Sequence, residues 1–288
     1  MPSNQLGTLA RVAAAAALLA VAATPGTLQA QSGATGRMVR VPGAEIHYRE
    51  VGTGEPLLLL HGFGGCGSDW EPFVARLAGQ YRVILVDLRG HGRSTNPSRT
   101  FTMRQSADDV LALLDTLGLD RVRAMGISAG GMTLLHVATR QPARLRSLVL
   151  IGATTRFVDQ TRDVIRGTTR ESLPPPVLAD FTRCASRGDA QVDELLAQFE
   201  ALAGMHDDPN FGAADLARIA APTLVVHGDR DIFFPVQIAV DMYRHIPTAQ
   251  LWVIPNGDHV PIYDPLVPFA DVALRFLGQG TTATGGGR

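Results

Sequence analysis

Ser128 is the centre of a G-x-S-x-G pattern that spans residues 126–130. The apolar run Val122–Met125 precedes the pattern, and Met132–Ala138 is a plausible helix after it. A nucleophilic serine needs such a tight strand-to-helix turn, in which glycines remove side chains that would collide. The N-terminus of the helix directs its N–H groups and positive dipole end toward a developing oxyanion. The pattern therefore predicts that Ser128 attacks an acyl carbonyl.

A serine hydroxyl is a poor nucleophile at neutral pH and needs a general base. His259 is the preferred base among eight histidines, because it lies in a turn after the last apolar run, where sites collect in open sheets. His136 falls within the helix after Ser128 and is interpreted as a packing residue. The alternative for His259 is an ordinary surface loop histidine.

The base needs a carboxylate that orients its imidazole. Asp229 and Asp231 both follow the penultimate apolar run, so both are candidates. Asp231 is preferred, since a position two residues further on can turn back over the sheet edge, beside Phe233 and Phe234. Asp229 is expected to satisfy backbone donors in its own turn.

Short apolar runs alternate with helical segments along the chain. Runs without polar alternation are typical of strands buried on both faces of a parallel sheet. An N-terminal hairpin over residues 38–49 precedes them, and the order predicts an α/β fold with helices on both faces of the sheet. The runs are Leu57–Leu60, Arg82–Val86, Val122–Met125, Leu148–Ile151, Thr223–Val226 and Leu251–Ile254.

The sequence also predicts where two of the helices begin and end. Thr102 is predicted to cap a helix that Gly118 stops, and Asp264 to cap a C-terminal helix with Pro265 at its first position and Gly278 at its end. The 70 or so residues before Thr223 carry no strand signal, and their length indicates a helical lid over one end of the sheet. A stripe in this insertion consists of Val192, Leu195, Leu196, Phe199 and Leu202.

Over residues 38–278 the chain resembles the α/β-hydrolase family, in the order nucleophile, acid, histidine. The segments H-G-F-G-G at 61–65 and D-L-R-G-H-G-R-S at 87–94 carry the resemblance together with the motifs above. It implies a mostly parallel eight-stranded sheet with a helical cap, and an oxyanion hole formed by the backbone N–H groups of Phe63 and Ala129. His61 and residues 89–94 would support the site structurally.

The resemblance also divides the chain into parts. Residues 38–155 and 222–278 are predicted to form the hydrolase core, and residues 156–221 the cap that shapes substrate access. Relatives that are epoxide hydrolases or haloalkane dehalogenases carry Asp at the nucleophile, so Ser128 disfavours those reactions. Carboxylic esters are the expected substrates, followed by enol lactones and then N-terminal proline peptides. Carbon–carbon bond hydrolysis and perhydrolysis stay open.

Two other classes of function compete with this interpretation. Gly62, Gly64 and Gly67 fit the dinucleotide-binding pattern G-x-G-x-x-G, and Asp87 lies at the distance of its ribose-binding acid. A hairpin before the motif and the catalytic trio elsewhere both argue against an oxidoreductase. A non-catalytic binding protein on the same fold is the second alternative, because fold does not determine function.

Composition excludes several further classes. The 288-residue chain has no lysine, which excludes a P-loop NTPase, a Schiff-base enzyme and a Ser-Lys dyad. Its formal net charge of −1 shows no basic excess for nucleic acid. No metal-binding motif is present, and no cofactor is expected. Six phenylalanines are candidates for the walls of a pocket, although aromatic residues in a cap more often belong to its own packing. They are Phe157, Phe181, Phe199, Phe211, Phe233 and Phe234.

The N-terminus predicts export. Residues 1–30 have Arg11, a 12-residue apolar run and a small residue at Ala30, as in a cleaved secretory signal, with a retained membrane anchor as the alternative. The run is too short for a stable membrane span. Residues 31–37 are predicted to be a flexible linker and residues 279–288 a disordered tail. Cys66 and Cys184 are expected to be separate buried thiols, although an oxidising compartment permits a disulfide.

Overall fold

An eight-stranded β-sheet forms the centre of the computed structural model, which describes residues 36–279. The strand order is β1-β2-β4-β3-β5-β6-β7-β8, and β2 runs antiparallel to both of its neighbours, while the remaining pairs are parallel. This confirms the predicted mostly parallel sheet. The strands are β1 (Arg37–Val41), β2 (Ala44–Val51), β3 (Glu55–Leu60), β4 (Tyr81–Val86), β5 (Val122–Ile127), β6 (Leu145–Ile151), β7 (Thr223–Gly228) and β8 (Ala249–Ile254).

Helices cover both faces of the sheet, as predicted. Leu58 of β3 contributes to one core cluster with α2, α3 and α8, whereas its neighbour Leu59 contributes to the other cluster with α1 and α9. Successive strand side chains point to opposite faces, so an uninterrupted leucine run fills both layers. The helices are α1 (Glu71–Ala78), α2 (Met103–Thr116), α3 (Ala129–Arg140), α4 (Asp159–Arg166), α5 (Pro175–Cys184), α6 (Asp189–Leu202), α7 (Ala213–Leu216), α8 (Val236–His245) and α9 (Phe269–Gly278).

The predicted ends of α2 are confirmed, whereas the predicted start of α9 is wrong. Thr102 Oγ1 accepts a hydrogen bond from the Gln105 N–H (3.0 Å), and the chain leaves α2 through Gly118 at φ +64°. Asp264 instead accepts the N–H of Leu266 in a separate turn, and Leu266 is exposed. A helix starting at Pro265 would place Pro268 where the first intrahelical N–H donor is needed, which a proline lacks.

The four helices α4–α7 lie between β6 and β7, in the range predicted to be the cap (residues 156–221). The apolar stripe of α6 faces inward, with Val192, Leu195 and Leu202 almost fully buried. Gln191 on the same helix is also buried, and its amide donates to the carbonyls of Gly90 and Gly92 at 2.8 and 3.0 Å. The insertion is thus attached to the loop after β4 by polar contacts.

Cys66 and Cys184 form a disulfide, so the expectation of two separate thiols is wrong. The bond joins the loop after β3 to the last residue of α5 across 118 positions of sequence. No local pattern reports a proximity that arises only when the insertion folds back over the sheet.

The predicted signal, residues 1–30, and residues 280–288 of the predicted tail lie outside the described residues. Of the predicted linker, residues 31–35 also lie outside, whereas Arg37 already belongs to β1. Within residues 36–279, no helix has the length and apolar character needed to cross a membrane.

The loop after β4 is built on buried polar groups. Asp87 accepts hydrogen bonds from the N–H groups of Gly67 (2.8 Å) and Arg93 (2.9 Å) and pairs with His47. Burial opposes the ionised carboxyl, but the bond to His47 and the other favourable contacts lower its pKa to about 2. Asp87 thus bonds this loop to β2 and to the loop after β3, and the role of residues 89–94 as a support of the site stays a prediction.

We expect Asp109→Ala to destabilise the fold by about 3–5 kcal/mol, because it leaves a buried guanidinium unpaired. Arg89 and Asp109 form a bidentate pair at 2.8 and 2.5 Å, and both side chains are about 4% exposed. The adjacent Asp108→Ala is the matched control: its partner Arg140 is exposed, so its loss should cost at most about 1 kcal/mol. Urea unfolding of both variants measures the difference, and equal losses would contradict the assignment.

We expect His91→Gln to make stability less sensitive to acid. Burial, the largest cause, lowers the pKa of His91 from 6.5 to about 3. Below pH 6.5 the unfolded chain therefore binds a proton that the folded chain does not, and the free energy of unfolding falls by up to about 1.4 kcal/mol per pH unit. Glutamine can keep the bond to the Arg89 carbonyl, which His91 Nδ1 makes at 2.9 Å.

Urea unfolding between pH 4.5 and 7.5 tests this expectation. The exposed His245, at the end of α8, supplies His245→Gln as the control. An identical pH slope in the wild type and in His91→Gln would show that His91 does not contribute.

Candidate active site

Ser128 lies in a sharp turn between β5 and α3, with φ +47° and ψ −112°. Its N–H donates to the Ile151 carbonyl at 2.8 Å, which anchors the turn to β6. A Cβ atom on Gly126 would lie 2.5 Å from the Gly130 backbone, and one on Gly130 would lie 2.6 Å from the His61 carbonyl oxygen. The two glycines of the pattern are therefore required by close backbone approach, as the sequence predicts.

The structure brings His259 and Ser128 together across 131 positions of sequence. His259 Nε2 lies 2.9 Å from Ser128 Oγ, and its other ring nitrogen, Nδ1, lies 2.8 Å from Asp231 Oδ2. The histidine loop fits against the end of β7, where a Cβ on Gly228 would lie 2.1 Å from the Asp258 carbonyl oxygen. The three predicted side chains thus form one hydrogen-bonded chain at the carboxyl edge of the sheet.

Asp231 is held on both of its oxygens. Oδ1 accepts the N–H groups of Phe233 (2.8 Å) and Phe234 (3.1 Å), while Oδ2 faces His259. Burial raises the pKa of this carboxyl, but its proximity and hydrogen bonds to His259 outweigh burial, so the pKa is lower than usual. Asp231 is therefore ionised and fixed in position.

Asp229 does not satisfy the backbone donors of its own turn, contrary to the expectation from the sequence. Its carboxylate contacts the Arg230 guanidinium at 4.0 Å, whereas the backbone donors of this turn are taken by Asp231. One aspartate thus orients the histidine and also organises its own loop, because its two oxygens point in different directions.

The hydrogen bonds determine which proton His259 can accept. An ionised Asp231 only accepts, so Nδ1 of His259 must carry the proton that lies between them. In the neutral imidazole Nε2 is then unprotonated and faces the Ser128 hydroxyl. This tautomer can remove the hydroxyl proton as the oxygen attacks a carbonyl carbon.

The loop after β3 lies beside the serine. A Cβ on Gly62 would lie 3.5 Å from Ser128 Cβ, and Phe63 is the next residue. Ala129, on the other side, is the first residue of α3, whose leading N–H groups have no partner within the helix. The backbone N–H groups predicted to form an oxyanion hole therefore lie in the two segments that flank Ser128.

His61 fixes the start of this loop. Its Nε2 accepts the Leu88 N–H at 2.9 Å, so its Nδ1 carries the proton and donates to the Gly62 carbonyl at 2.6 Å. The ring of Phe63 packs edge-on against His91 (4.7 Å between centroids). The family resemblance implies that His61 and residues 89–94 support the site, but it does not single out the contact between His91 and Phe63.

Aromatic rings surround the histidine. Phe233 and Phe234 lie 4.7 and 5.1 Å from the His259 ring, and Phe199 of the cap joins Phe233 to Phe63. Phe157 stacks on Phe234, Phe181 lies over Gly64, and Phe211 packs instead against His136. Five of the six candidate aromatics are thus near the site.

The segment that fits the competing dinucleotide pattern has no free binding site for a nucleotide. Both oxygens of Asp87 are engaged by the protein, and the Phe181 ring occupies the space above Gly64, 2.2 Å from where a Cβ would be.

His136, interpreted as packing, additionally pairs with Asp208 at 2.5 Å. Among the described residues, Cys66, Asp69 and Cys184 are close enough to share a metal, but the two sulfur atoms are bonded to each other.

Comparison with known proteins agrees with this fold. A family model described as the alpha/beta hydrolase fold matches residues 55–181. The chain is 30% identical to serine hydrolase BPHL of Homo sapiens, over 78% of this chain and 80% of that protein. It is 31% identical to 2-hydroxy-6-oxononadienedioate/2-hydroxy-6-oxononatrienedioate hydrolase 2 of Pseudomonas putida. That match covers 87% of this chain and 99% of the relative.

A solved structure is similar over the same region. The enol-lactonase from Burkholderia xenovorans LB400 is 25% identical, with a TM-score of 0.68, and the match covers 84% of this chain and all of that one. The sheet topology and the similarity to relatives that are 30% or more identical over at least 80% of their length lead to one conclusion: the chain belongs to the α/β-hydrolase family and is a hydrolase.

Proposed function

We propose that this protein is a serine hydrolase that cleaves carboxylic esters through an acyl-enzyme. One observation carries the proposal: the continuous hydrogen-bonded chain from Asp231 through His259 to Ser128, at the N-terminus of α3. A nucleophile, a base in the required tautomer and an orienting carboxylate are the minimal set for acyl transfer.

Acylation begins when Ser128 Oγ attacks the ester carbonyl carbon and His259 Nε2 takes the hydroxyl proton. The imidazole then carries a positive charge, which the adjacent carboxylate of Asp231 stabilises without becoming protonated. When the tetrahedral intermediate collapses, the bond to the alkoxy oxygen breaks. His259 gives its proton to that oxygen, the alcohol leaves, and the acyl group stays on Ser128.

The negative charge of the intermediate is held by the backbone N–H groups of Phe63 and Ala129. Each such donor contributes roughly 3 kcal/mol to transition-state stabilisation. The positive end of the α3 dipole acts in the same direction. Water then attacks the acyl-enzyme while His259 accepts its proton. When the acyl–oxygen bond breaks, His259 returns that proton to Ser128 Oγ and the carboxylic acid is released.

Neutral, apolar acyl groups fit this site better than anionic ones. The rings of Phe63, Phe199 and Phe233 form an apolar wall beside His259. Six of the seven arginines in residues 156–221 each contact an oxygen atom of the protein, which makes them poorly available to a substrate carboxylate. They are Arg156, Arg162, Arg166, Arg170, Arg183 and Arg187.

Lactone hydrolysis is the second candidate. It uses the same attack and the same proton transfers, and the likeness to an enol-lactonase favours it. Carbon–carbon bond hydrolysis, which the sequence analysis left open, is a third reaction for the same test, and it is tested on dicarboxylates because the Pseudomonas putida relative is named for such substrates. We also propose that residues 1–30 direct export, in which case the reaction takes place outside the cytoplasm.

We expect Ser128→Ala to reduce ester hydrolysis by ~10⁴-fold or more, because the attacking oxygen is removed. The assay compares wild type and variant on p-nitrophenyl esters of increasing chain length, on lactones, and on dicarboxylates with a cleavable carbon–carbon bond. Neutral esters should give the highest kcat/KM. A fluorophosphonate probe should label the wild type and not the variant.

Two outcomes would contradict the proposal. Wild-type turnover in Ser128→Ala, with contamination excluded, would remove the nucleophile from the mechanism. A kcat/KM for lactones or dicarboxylates well above that for every ester would transfer the assignment to that reaction.

We expect Asp231→Asn to lower kcat by about 10⁴-fold while the loop keeps its shape. The amide oxygen can still accept the N–H groups of Phe233 and Phe234. The amide nitrogen, however, donates to Nδ1 of His259, which places the imidazole proton on Nε2. A protonated Nε2 cannot accept the proton of the Ser128 hydroxyl. Asp229→Asn is the matched control and should retain activity, and a comparable loss in both variants would contradict the assignment of Asp231.

A further inference from the structure

Helix α5 of the cap touches the loop after β3 at three neighbouring positions. Cys184 is bonded to Cys66, Arg183 pairs with Asp69 at 2.8 Å, and the Phe181 ring covers the backbone of Gly64. We call these three contacts the latch. Gly64 is the residue after Phe63, so the latch lies directly beside the candidate oxyanion hole.

The rest of α5 is weakly held. Cys184 is the buried residue of this helix, whereas Val177, Leu178 and Phe181 are half-buried and belong to neither core cluster of the described structure. By contrast, α6 buries its apolar stripe and its Gln191 amide. A surface helix normally depends on its apolar face for stability. The position of α5 therefore depends mainly on the latch.

The loop on the other side of the latch is held independently by the core. Gly67 donates its N–H to the buried Asp87 at 2.8 Å, and within the loop Gly65 donates its N–H to the Gly62 carbonyl at 3.1 Å. Breaking the disulfide should therefore release the cap helix and leave the loop in place. The two partners respond differently because the loop is also bonded to the buried Asp87, whereas α5 keeps only the exposed Arg183–Asp69 ion pair and the Phe181 contact.

The histidine loop shares the same cluster. The Tyr263 hydroxyl donates to the Asp69 carbonyl at 3.1 Å, and Tyr263 follows His259 by four residues. Asp69 also accepts the Cys66 N–H through its carboxylate at 3.2 Å. The latch thus joins the cap, the loop after β3 and the segment that carries the base.

We propose that the Cys66–Cys184 disulfide is a redox-sensitive latch that keeps α5 closed over the candidate active site. The proposal rests on the proposed function, because closure matters only if Ser128 performs acyl transfer. The opening step is reduction by a dithiol: the S–S bond breaks, two electrons and two protons pass to Cys66 and Cys184, and the dithiol becomes a cyclic disulfide.

The closed position of α5 affects the proposed acyl transfer. With α5 in place, Phe181 excludes water from the side of the oxyanion loop, which strengthens the electrostatic contacts of the transition state. Once released, the helix exposes that side and the acyl group loses part of its enclosure. The oxidised protein is therefore the more active form.

Amide hydrogen exchange gives a readout that needs no activity. Oxidised protein is compared with protein reduced by dithiothreitol and with Cys66→Ser/Cys184→Ser. EDTA is included, because freed thiols beside Asp69 could capture a trace metal. We expect amide exchange within residues 175–184 to accelerate by at least about tenfold when the disulfide is absent. The exchange rate reports local opening, and the released helix should open more often. Residues 103–116 of α2 are the internal control and should not change.

Hydrolysis of a short neutral ester is measured on the same samples. We expect kcat/KM to fall by about tenfold on reduction and to recover on reoxidation, because a released α5 no longer sequesters the reaction from water. The double variant should resemble the reduced protein and should not respond to dithiothreitol. Arg183→Ala, which keeps the disulfide, should give an intermediate increase in exchange.

The outcomes separate the latch from the proposed function. Unchanged exchange in residues 175–184 after reduction, verified by a mass gain of two hydrogens, would overturn the latch whatever the enzyme hydrolyses. Accelerated exchange with unaltered kcat/KM would overturn its control of the active site. If the oxidised protein hydrolyses no ester, the rate of fluorophosphonate labelling of Ser128 replaces kcat/KM, and an equal rate in both redox states would equally overturn that control.

Discussion

The backbone turn at Ser128 is the constraint on which the rest of the site depends. Its positive φ is unfavourable for a residue with a side chain and costs of the order of 1–3 kcal/mol. The conformation persists because β5 is buried along its whole length and the Ser128 N–H is bonded to β6. Rigid packing on both sides of the turn therefore keeps the hydroxyl at the head of α3.

Everything else at the site approaches that turn from the same edge of the sheet. The strands β3, β5, β7 and β8 run in parallel, so the loops after their carboxyl ends meet there. Asp231 follows β7 and His259 follows β8, and they reach Ser128 through two short hydrogen bonds. The parallel topology thus converts large sequence separations into contact.

The surroundings of the histidine strengthen these bonds. Aromatic rings displace water around His259, and in a medium of low dielectric constant the buried Asp231 interacts more strongly with the imidazole. The carboxylate tolerates burial because two backbone N–H groups satisfy its second oxygen. An unsatisfied charge at the same depth would be protonated, and it could not orient the base.

The cap makes two unlike attachments to the core. Gln191 of α6 is buried and binds two backbone carbonyls, a contact that does not depend on redox state. Helix α5 is joined by the disulfide, an exposed ion pair and one aromatic ring. The two helices therefore differ in how readily they can separate from the core, and the less firmly packed one lies nearer to Phe63.

The sequence by itself determined the strand runs, the turn at Ser128, the ends of α2 and the ranking of Asp231 above Asp229, because each is encoded by local periodicity or by residues a few positions apart. The tertiary structure alone decided the pairing of Cys66 with Cys184 and the role of Asp87. Those features depend on distances between segments far apart in the chain, and no local pattern contains that information.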